Sequence, residues 1–144
     1  MEIVINKQYG GFSLSPLAIQ EYLKLKGEKA YFYDSRYENK TMMFIKEDPP
    51  TKTENIFLQC FTRDFGERFN STDIPDEEWD RYCFYSNSIN RTDKDLIKVV
   101  KELGDKANTI VSDLKIIEIP DDIEYEIEEY DGFEWVSEKH MTWG

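Results

Sequence analysis

The chain has 144 residues, of which 40% are hydrophobic and 15% aromatic, and its formal net charge is -12 at pH 7. This length fits one domain spanning residues 1–144, and the apolar and aromatic content excludes a disordered chain. The negative charge excludes strong attraction to nucleic acid or to an anionic membrane, unless the fold builds a local basic pocket.

The N-terminal part of the chain predicts a strand followed by a helix. The segment "EIVIN" (residues 2–6) has the β-branched pattern of a strand. Ser15 followed by Pro16 is typical of a helix start, because the serine hydroxyl caps a free backbone N–H and proline is tolerated at the first helical position. Gly27 is expected to end this helix, which completes a βα unit.

The middle of the chain predicts strands joined by short, turn-rich connections, a pattern that favours an antiparallel sheet. The predicted strands cover residues 29–34, 41–47, 55–63 and 80–87. Residues 66–79 are the longest irregular stretch, and we interpret them as a candidate recognition or lid loop.

The C-terminal part predicts a second principal helix and further strands. Thr92 and the acidic residues after it begin a helix whose apolar residues recur at helical spacing. Gly104 ends this helix or bends it into residues 105–114, which could continue its apolar face. Residues 114–119 have the composition of a buried strand, and residues 123–127 alternate strictly between apolar and polar side chains.

Residues 123–127 are predicted to be part of the first strand of an acidic β-hairpin. Asp131 and Gly132 form a two-residue sequence that strongly favours a hairpin turn. This turn predicts two cross-strand pairs, Ile127 with Val136 and Tyr130 with Phe133. A short helix over residues 133–140 is the alternative. The elements together predict the α+β class, with a mainly antiparallel sheet, two principal helices and a C-terminal acidic β-hairpin.

The acidic residues are concentrated in this last segment. Residues 118–138 contain ten acidic residues and no basic one, whereas residues 1–117 contain twenty acidic and seventeen basic residues. An acidic stretch of this kind maintains solubility as a solvated face. Alternatively, it docks on a basic protein or mimics a phosphate backbone.

The stretch "INKQYGGFSLSP" (residues 5–16) has two interpretations. Gly10 and Gly11 before a capped helix could cradle an anion on backbone N–H groups, but their spacing matches neither GxGxxG nor GxxxxGK[ST]. Phe12 and Leu14 have the character of core residues. We therefore favour a tight turn with positive φ, and keep anion contact as the alternative.

The chain carries no familiar catalytic constellation. Its one histidine, His140, lies four residues from the C-terminal residue and has no ligand cluster or nucleophile motif beside it. The acidic residues of "PDD" and "EIEE" occupy turns and alternating strand positions, which suits exposure better than metal binding. We predict no enzymatic activity, no catalytic residue, no metal and no cofactor.

The sequence predicts a cytoplasmic protein. No segment approaches the roughly 18 apolar residues of a membrane span, and the N-terminus lacks the pattern of a signal peptide. Cys60 and Cys83 are expected to be free thiols in a reducing cytoplasm.

The arginines lie among aromatic residues near predicted strand ends: Arg36, Arg63, Arg68, Arg81 and Arg91. Arginine forks hold phosphates and aromatic faces stack on bases, so a nucleotide pocket is one interpretation, and an aromatic core with exposed arginines is the other.

Three stretches, "VINKQYGGFSLS", "RTDKDLIKVVKELGDKAN" and "LKIIEIPDDIEYEIEEYDGFEWVSEKHMTW", resemble a family of small acidic proteins from tailed-phage and prophage genomes. The resemblance covers about half of the chain and leaves out residues 28–80. In size and general layout the chain is also similar to the Thoeris anti-defence sponges, which sequester a cyclic ADP-ribose signal in oligomers.

These resemblances imply a phage counter-defence protein, working in the host cell cytoplasm. It would sequester a cyclic nucleotide immune signal without turnover, as a homo-oligomer. The strong acidity of this chain departs from that interpretation and opposes an anionic ligand, unless the pocket lies away from residues 118–138. The candidate ligand residues are Tyr82, Phe84, Asn90 and Arg91, together with Gly10 and Gly11. The alternative is an acidic inhibitor of a host nucleic-acid-binding defence enzyme, and a third hypothesis is a structural or regulatory phage protein. No membrane and no nucleic acid is expected as a direct partner.

Overall fold

A computed structural model of the chain describes residues 1–47 and 58–139. Within these ranges the chain forms three α-helices, nine β-strands and short 3-10 turns. The paired strands of the described residues run antiparallel. The predicted α+β class is confirmed. None of the helices in this part of the chain combines the length and the apolar character needed to cross a membrane.

The first core lies where two helices pack beside a small sheet. Strand β1 (Glu2–Asn6) pairs with β7 (Leu114–Glu118). Helix α1 (Pro16–Leu25) begins at the predicted cap, where Ser15 Oγ accepts a hydrogen bond from the Ala18 amide at 3.2 Å. Helix α3 (Lys94–Leu103) buries one apolar face against α1 and β1. The predicted βα unit and both principal helices are therefore present.

The larger sheet places its strands in the order β5, β3, β2, β4, β6. Their bounds are Tyr31–Glu38 for β2, Thr41–Glu47 for β3, Gln59–Phe61 for β4, Arg68–Asn70 for β5 and Cys83–Phe84 for β6. A second core of aromatic rings packs on this sheet, with Phe61 meeting Tyr33 and Trp79 edge to face at centroid distances of 5.6 and 5.0 Å. The strand predicted over residues 55–63 is shorter here, and residues 55–57 lie outside the described residues.

Two predictions for residues 66–88 are wrong. Residues 66–79 are not one irregular loop, because they contain β5, a 3-10 turn and most of helix α2 (Asp76–Tyr82). The strand predicted over residues 80–87 is the end of α2, the short strand β6 and a 3-10 turn. Acidic residues fill the first turn of α2, where they interact favourably with the positive end of the helix dipole, and Trp79 packs on the aromatic core.

Of the two alternatives for Gly104, the structure shows the first: α3 ends there, and residues 105–114 do not continue its apolar helical face. A 3-10 turn, Gly104–Ala107, follows α3, and the chain then turns into β7. Polar side chains bond to the backbone of this segment: Asn108 Oδ1 accepts from the Leu114 amide and Ser112 Oγ accepts from the Thr109 amide. Such bonds compete with helical backbone bonds, which explains why the helix stops.

Strands β8 (Tyr125–Tyr130) and β9 (Phe133–Glu138) form a hairpin. Asp131 has φ of 52° and Gly132 has φ of 89°, as a two-residue turn of this type requires. The register contains the two pairs that the turn predicts, Ile127 with Val136 and Tyr130 with Phe133. Residues 133–138 are therefore strand and not helix, and residues 140–144, including His140, lie outside the described residues.

Asp93 joins the end of α1 to the start of α3. Its Oδ1 accepts hydrogen bonds from the Asp95 and Leu96 amides, and its Oδ2 accepts from Tyr22 Oη at 2.8 Å. Lys26 Nζ lies 3.1 Å from the same carboxylate. Burial acts to raise the pKa of Asp93, but these hydrogen bonds outweigh burial and hold the pKa below its ordinary value of 3.8.

We expect Asp93→Ala to lower the free energy of unfolding at pH 7 by about 1–2 kcal/mol, the usual effect of removing a helix cap. Because the pKa of Asp93 is lowered in the folded state, its stabilisation is complete above the unfolded-state pKa and is lost as the pH falls through the folded-state pKa. In urea denaturation between pH 7 and pH 3, the stability difference between wild type and Asp93→Ala should therefore begin to shrink below about pH 4.

Asp93→Asn is the matched control, because its side-chain oxygen can still accept from the Asp95 and Leu96 backbone amides. It removes the charge and the second oxygen, which accepts from Tyr22. A difference between wild type and Asp93→Ala that stayed constant down to pH 3 would contradict the assignment.

Candidate functional site

Arg91, a predicted ligand residue, is held by the protein itself. Its guanidinium makes a two-pronged ion pair with Glu134, with Nη1 to Oε1 at 2.6 Å and Nη2 to Oε2 at 2.9 Å. The guanidinium also lies over the Phe12 ring, 3.6 Å from its centroid. The side chains of Arg91 and Glu134 are only 16% and 6% exposed. Bidentate geometry with little exposure is the arrangement in which an arginine–carboxylate pair is strong.

The same ion pair anchors the hairpin to strand β1. Glu134 Oε1 accepts a hydrogen bond from the backbone N–H of Asn6 at 2.8 Å. The side chain of Asn6 donates through Nδ2 to the Gly132 carbonyl, also at 2.8 Å. Arg91 Nη1 donates to the Val4 carbonyl, and the Val4 amide donates to the Arg91 carbonyl. Strand β1, strand β9 and the turn before α3 thus meet at one buried polar contact, which we call the hairpin anchor (Asn6, Arg91 and Glu134).

Gly10 and Gly11 form the turn that we favoured, with φ of 126° and 109°. The Gly10 amide donates to the Asp131 carbonyl at 2.9 Å, so this N–H bonds to the hairpin turn. A Cβ added at Gly132 would lie 2.1 Å from the Gly11 nitrogen. The backbone of the two glycines therefore packs directly against the hairpin turn. The Gly10 N–H, which an anion site would use, donates to a protein carbonyl.

The other predicted ligand residues lie apart from one another. Tyr82 packs in the aromatic core near Arg63, whose guanidinium lies 5.4 Å from the Tyr82 ring centroid. Phe84 faces the first core and lies 6.0 Å from the Tyr22 ring. Asn90 is exposed, and its Oδ1 accepts hydrogen bonds from the amide and hydroxyl of Thr92. The structure does not gather these residues around one ligand.

A cleft of about 240 Å³ lies between the start of α1, strand β4 and the residues after β6. Of the predicted ligand residues, Phe84 belongs to the described lining of this cleft and the others do not. The apolar lining is Leu14, Pro16, Ile19, Phe32, Leu58 and Phe84. The polar lining is Ser13, Gln59, Cys60, Tyr85, Ser86 and Thr109.

The side of the hairpin turned away from the anchor is largely exposed. Strand register places six side chains together there: Glu126, Glu128, Tyr130, Phe133, Trp135 and Ser137. Phe133 is the half-buried aromatic residue among them, because its ring packs against Tyr9 and Lys7. We call this the outer hairpin face. Tyr130 is 71% exposed and Trp135 is 37% exposed, and the Trp135 indole N–H donates to Glu128 Oε2 at 2.9 Å. Carboxylates and large aromatic side chains therefore share one rigidly mounted surface.

The sequence did not single out Glu134, the residue that positions the hairpin. It is one of the ten acidic residues of residues 118–138, and its composition does not distinguish it from the others. One feature could have found it: in a two-residue hairpin, Glu134 shares a face with Val136 and Ile127, whose apolar character marks the inner side.

The chain is therefore an α+β protein with an anchored acidic hairpin and a small neutral cleft. Comparison with protein-family models, curated proteins and solved structures finds no match for this chain. Across residues 1–47 and 58–139, no three histidine, cysteine, aspartate or glutamate side chains come together as metal ligands would.

We expect Glu134→Ala to lower the free energy of unfolding by about 3–5 kcal/mol, because it leaves the Arg91 charge and the Asn6 amide without their partner in a buried place. Urea denaturation monitored by tryptophan fluorescence measures the change. Glu38→Ala is the matched control, since Glu38 pairs with Arg68 at 3.4 Å on the surface and the loss should be below about 1 kcal/mol. Equal effects of the two substitutions would refute the anchor.

Proposed function

We propose that this protein works by binding, without turnover, and that it docks its outer hairpin face on a basic surface of a protein partner. The single observation that carries the proposal is the joint exposure of Glu126, Glu128, Tyr130 and Trp135 on a hairpin whose other side is anchored. The resemblance to small acidic phage proteins suggests the class of partner, a nucleic-acid-binding defence enzyme of the host.

Residue chemistry supports this role for the outer hairpin face. Tyrosine and tryptophan are enriched among residues that dominate binding energy at protein interfaces. Carboxylates beside them complement a basic groove and speed encounter with it. Glu126 and Glu128 are two residues apart on one strand face, so their charges repeat along the strand every 6–7 Å or so. A basic groove that receives the repeating charges of a nucleic acid can receive such a row.

The hairpin anchor supports the proposal in a second way. A surface that is already rigid loses little conformational entropy on binding, so more of its contact energy appears as affinity. The ion pair of Arg91 with Glu134 and the bond from Gly10 to Asp131 hold both the strand and its turn. The outer hairpin face is thereby presented in one orientation.

A charge-neutralised variant tests this docking proposal. The variant combines the two glutamates of the outer hairpin face with Glu124, the exposed residue directly before β8. We expect Glu124→Gln, Glu126→Gln and Glu128→Gln, made together, to weaken capture of the partner by roughly tenfold or more in Kd, about 1.4 kcal/mol, and to flatten its salt dependence. The measurement is affinity capture from a bacterial host lysate, followed by displacement of a labelled DNA duplex from each captured protein.

The control carries the same change in net charge elsewhere: Glu28→Gln, Glu102→Gln and Asp105→Asn, all at exposed positions. The proposal holds if a basic nucleic-acid-binding protein is retained by wild type and control and is released by the hairpin variant. It is wrong if wild type and hairpin variant retain the same proteins equally.

Sequestration of a nucleotide signal is the second candidate, and the observation in its favour is the cleft beside Phe84 and Tyr85. The cleft is smaller than the roughly 300–1,000 Å³ of pockets for drug-sized ligands, and its described lining has no charged side chain. Phosphate contacts would come from a second copy in a homo-oligomer.

A thermal-shift screen against cyclic ADP-ribose isomers, cyclic dinucleotides and ADP-ribose tests sequestration. A ligand at a hundred times its Kd adds about 2.7 kcal/mol to stability, so we expect a shift of several degrees and recovery of intact ligand after denaturation. Light scattering on the same samples reports the oligomer. A flat screen, or recovery of a cleaved ligand, would exclude sequestration without turnover.

A further inference from the structure

The cleft beside Phe84 has a lining that is neutral at physiological pH. Of the described side chains that line it, none is an arginine, lysine, histidine, aspartate or glutamate. Cys60 is 2% exposed, and burial raises the pKa of its thiol to about 12. A hydrogen bond to Cys83 raises the pKa of the Tyr85 hydroxyl. Both groups therefore stay protonated, and the cleft offers hydrogen bonds and apolar surface without charge.

The most buried side chains of the lining are mainly apolar: Leu14, Pro16 and Phe32 are at most 3% exposed and form the deep part of the cleft. The Cys60 thiol and the Thr109 hydroxyl, 2% and 6% exposed, lie among them. Ser86 is half-buried and Tyr85 is 53% exposed, so these two belong to its mouth. A ligand that fits has a flat apolar body and polar edges.

Volume limits the size of that ligand. A dry cavity of about 150 Å³ in another protein accommodates a benzene molecule. A cleft of about 240 Å³ is therefore large enough for a ring system somewhat larger than benzene. A phosphate group has no counter-charge among the described lining side chains, and its desolvation would oppose entry.

We propose that this cleft binds an uncharged planar heterocycle with hydrogen-bonding edges, of the size of a nucleobase, between the deep apolar side chains and the Phe84 ring. The inference rests on the cleft of the second candidate function and gives its ligand class. It requires no phosphate, so it stands or falls independently of the nucleotide signal and of the outer hairpin face.

Titration calorimetry with adenine, guanine, uracil and the matching nucleosides and 5′-monophosphates tests the proposal. We expect at least one base or nucleoside to bind, and its monophosphate to bind no more tightly. Ser86→Trp places a large side chain at the mouth and should weaken binding about tenfold or more. Phe84→Leu removes the stacking ring while keeping an apolar side chain, and should weaken binding by a similar factor.

Asn87→Trp is the matched control, because Asn87 is the exposed neighbour of Ser86 in the same turn and does not line the cleft. It should bind like wild type. The absence of binding by every base and nucleoside at millimolar concentration overturns the proposal, as does binding that Ser86→Trp and Phe84→Leu leave unchanged. Binding of cyclic ADP-ribose in the thermal-shift screen without binding of any base would support sequestration and overturn this ligand class.

Discussion

The buried ion pair of Arg91 with Glu134 is the interaction on which the arrangement of the protein depends. An isolated two-stranded hairpin is marginally stable in water, and this one carries closely spaced acidic residues that repel one another. Glu134 offsets that weakness because its carboxylate meets both the Arg91 guanidinium and the Asn6 amide. The pair joins three parts of the chain that are distant in sequence, and it gives the hairpin one inner and one outer side.

This anchor also decides which chemistry remains available for binding. Arg91 was the best candidate for a phosphate contact, and in the structure both terminal nitrogens of its guanidinium donate to Glu134. Recruiting it for a ligand would leave a carboxylate buried without its partner, which is costly. Glu126 and Glu128 on the outer hairpin face are exposed and do not neutralise a buried charge. The geometry therefore favours docking of the outer hairpin face over phosphate recognition at Arg91.

The parts of the fold that could be predicted are those with local causes. Ser15 with Pro16 starts α1, and Asp131 with Gly132 specifies a turn whose register follows from its length. Helix α2 was missed because its stability comes from Trp79 packing on distant aromatic rings. The partner of Arg91 was missed for the same reason, since forty-three positions separate it from Glu134 and nine other acidic residues lie in residues 118–138.

The two glycines show why a local motif is ambiguous in function. A phosphate loop and a seat for another turn need the same backbone properties: positive φ, no side chain, and N–H groups that point outward. At Gly10 the acceptor is the Asp131 carbonyl, and the absence of a Cβ at Gly132 lets the two backbones approach. The acceptor is distant in the sequence, so it cannot be predicted from two glycines before a capped helix. A glycine pair that looks like an anion site can therefore serve, as here, to hold the turn of a β-hairpin.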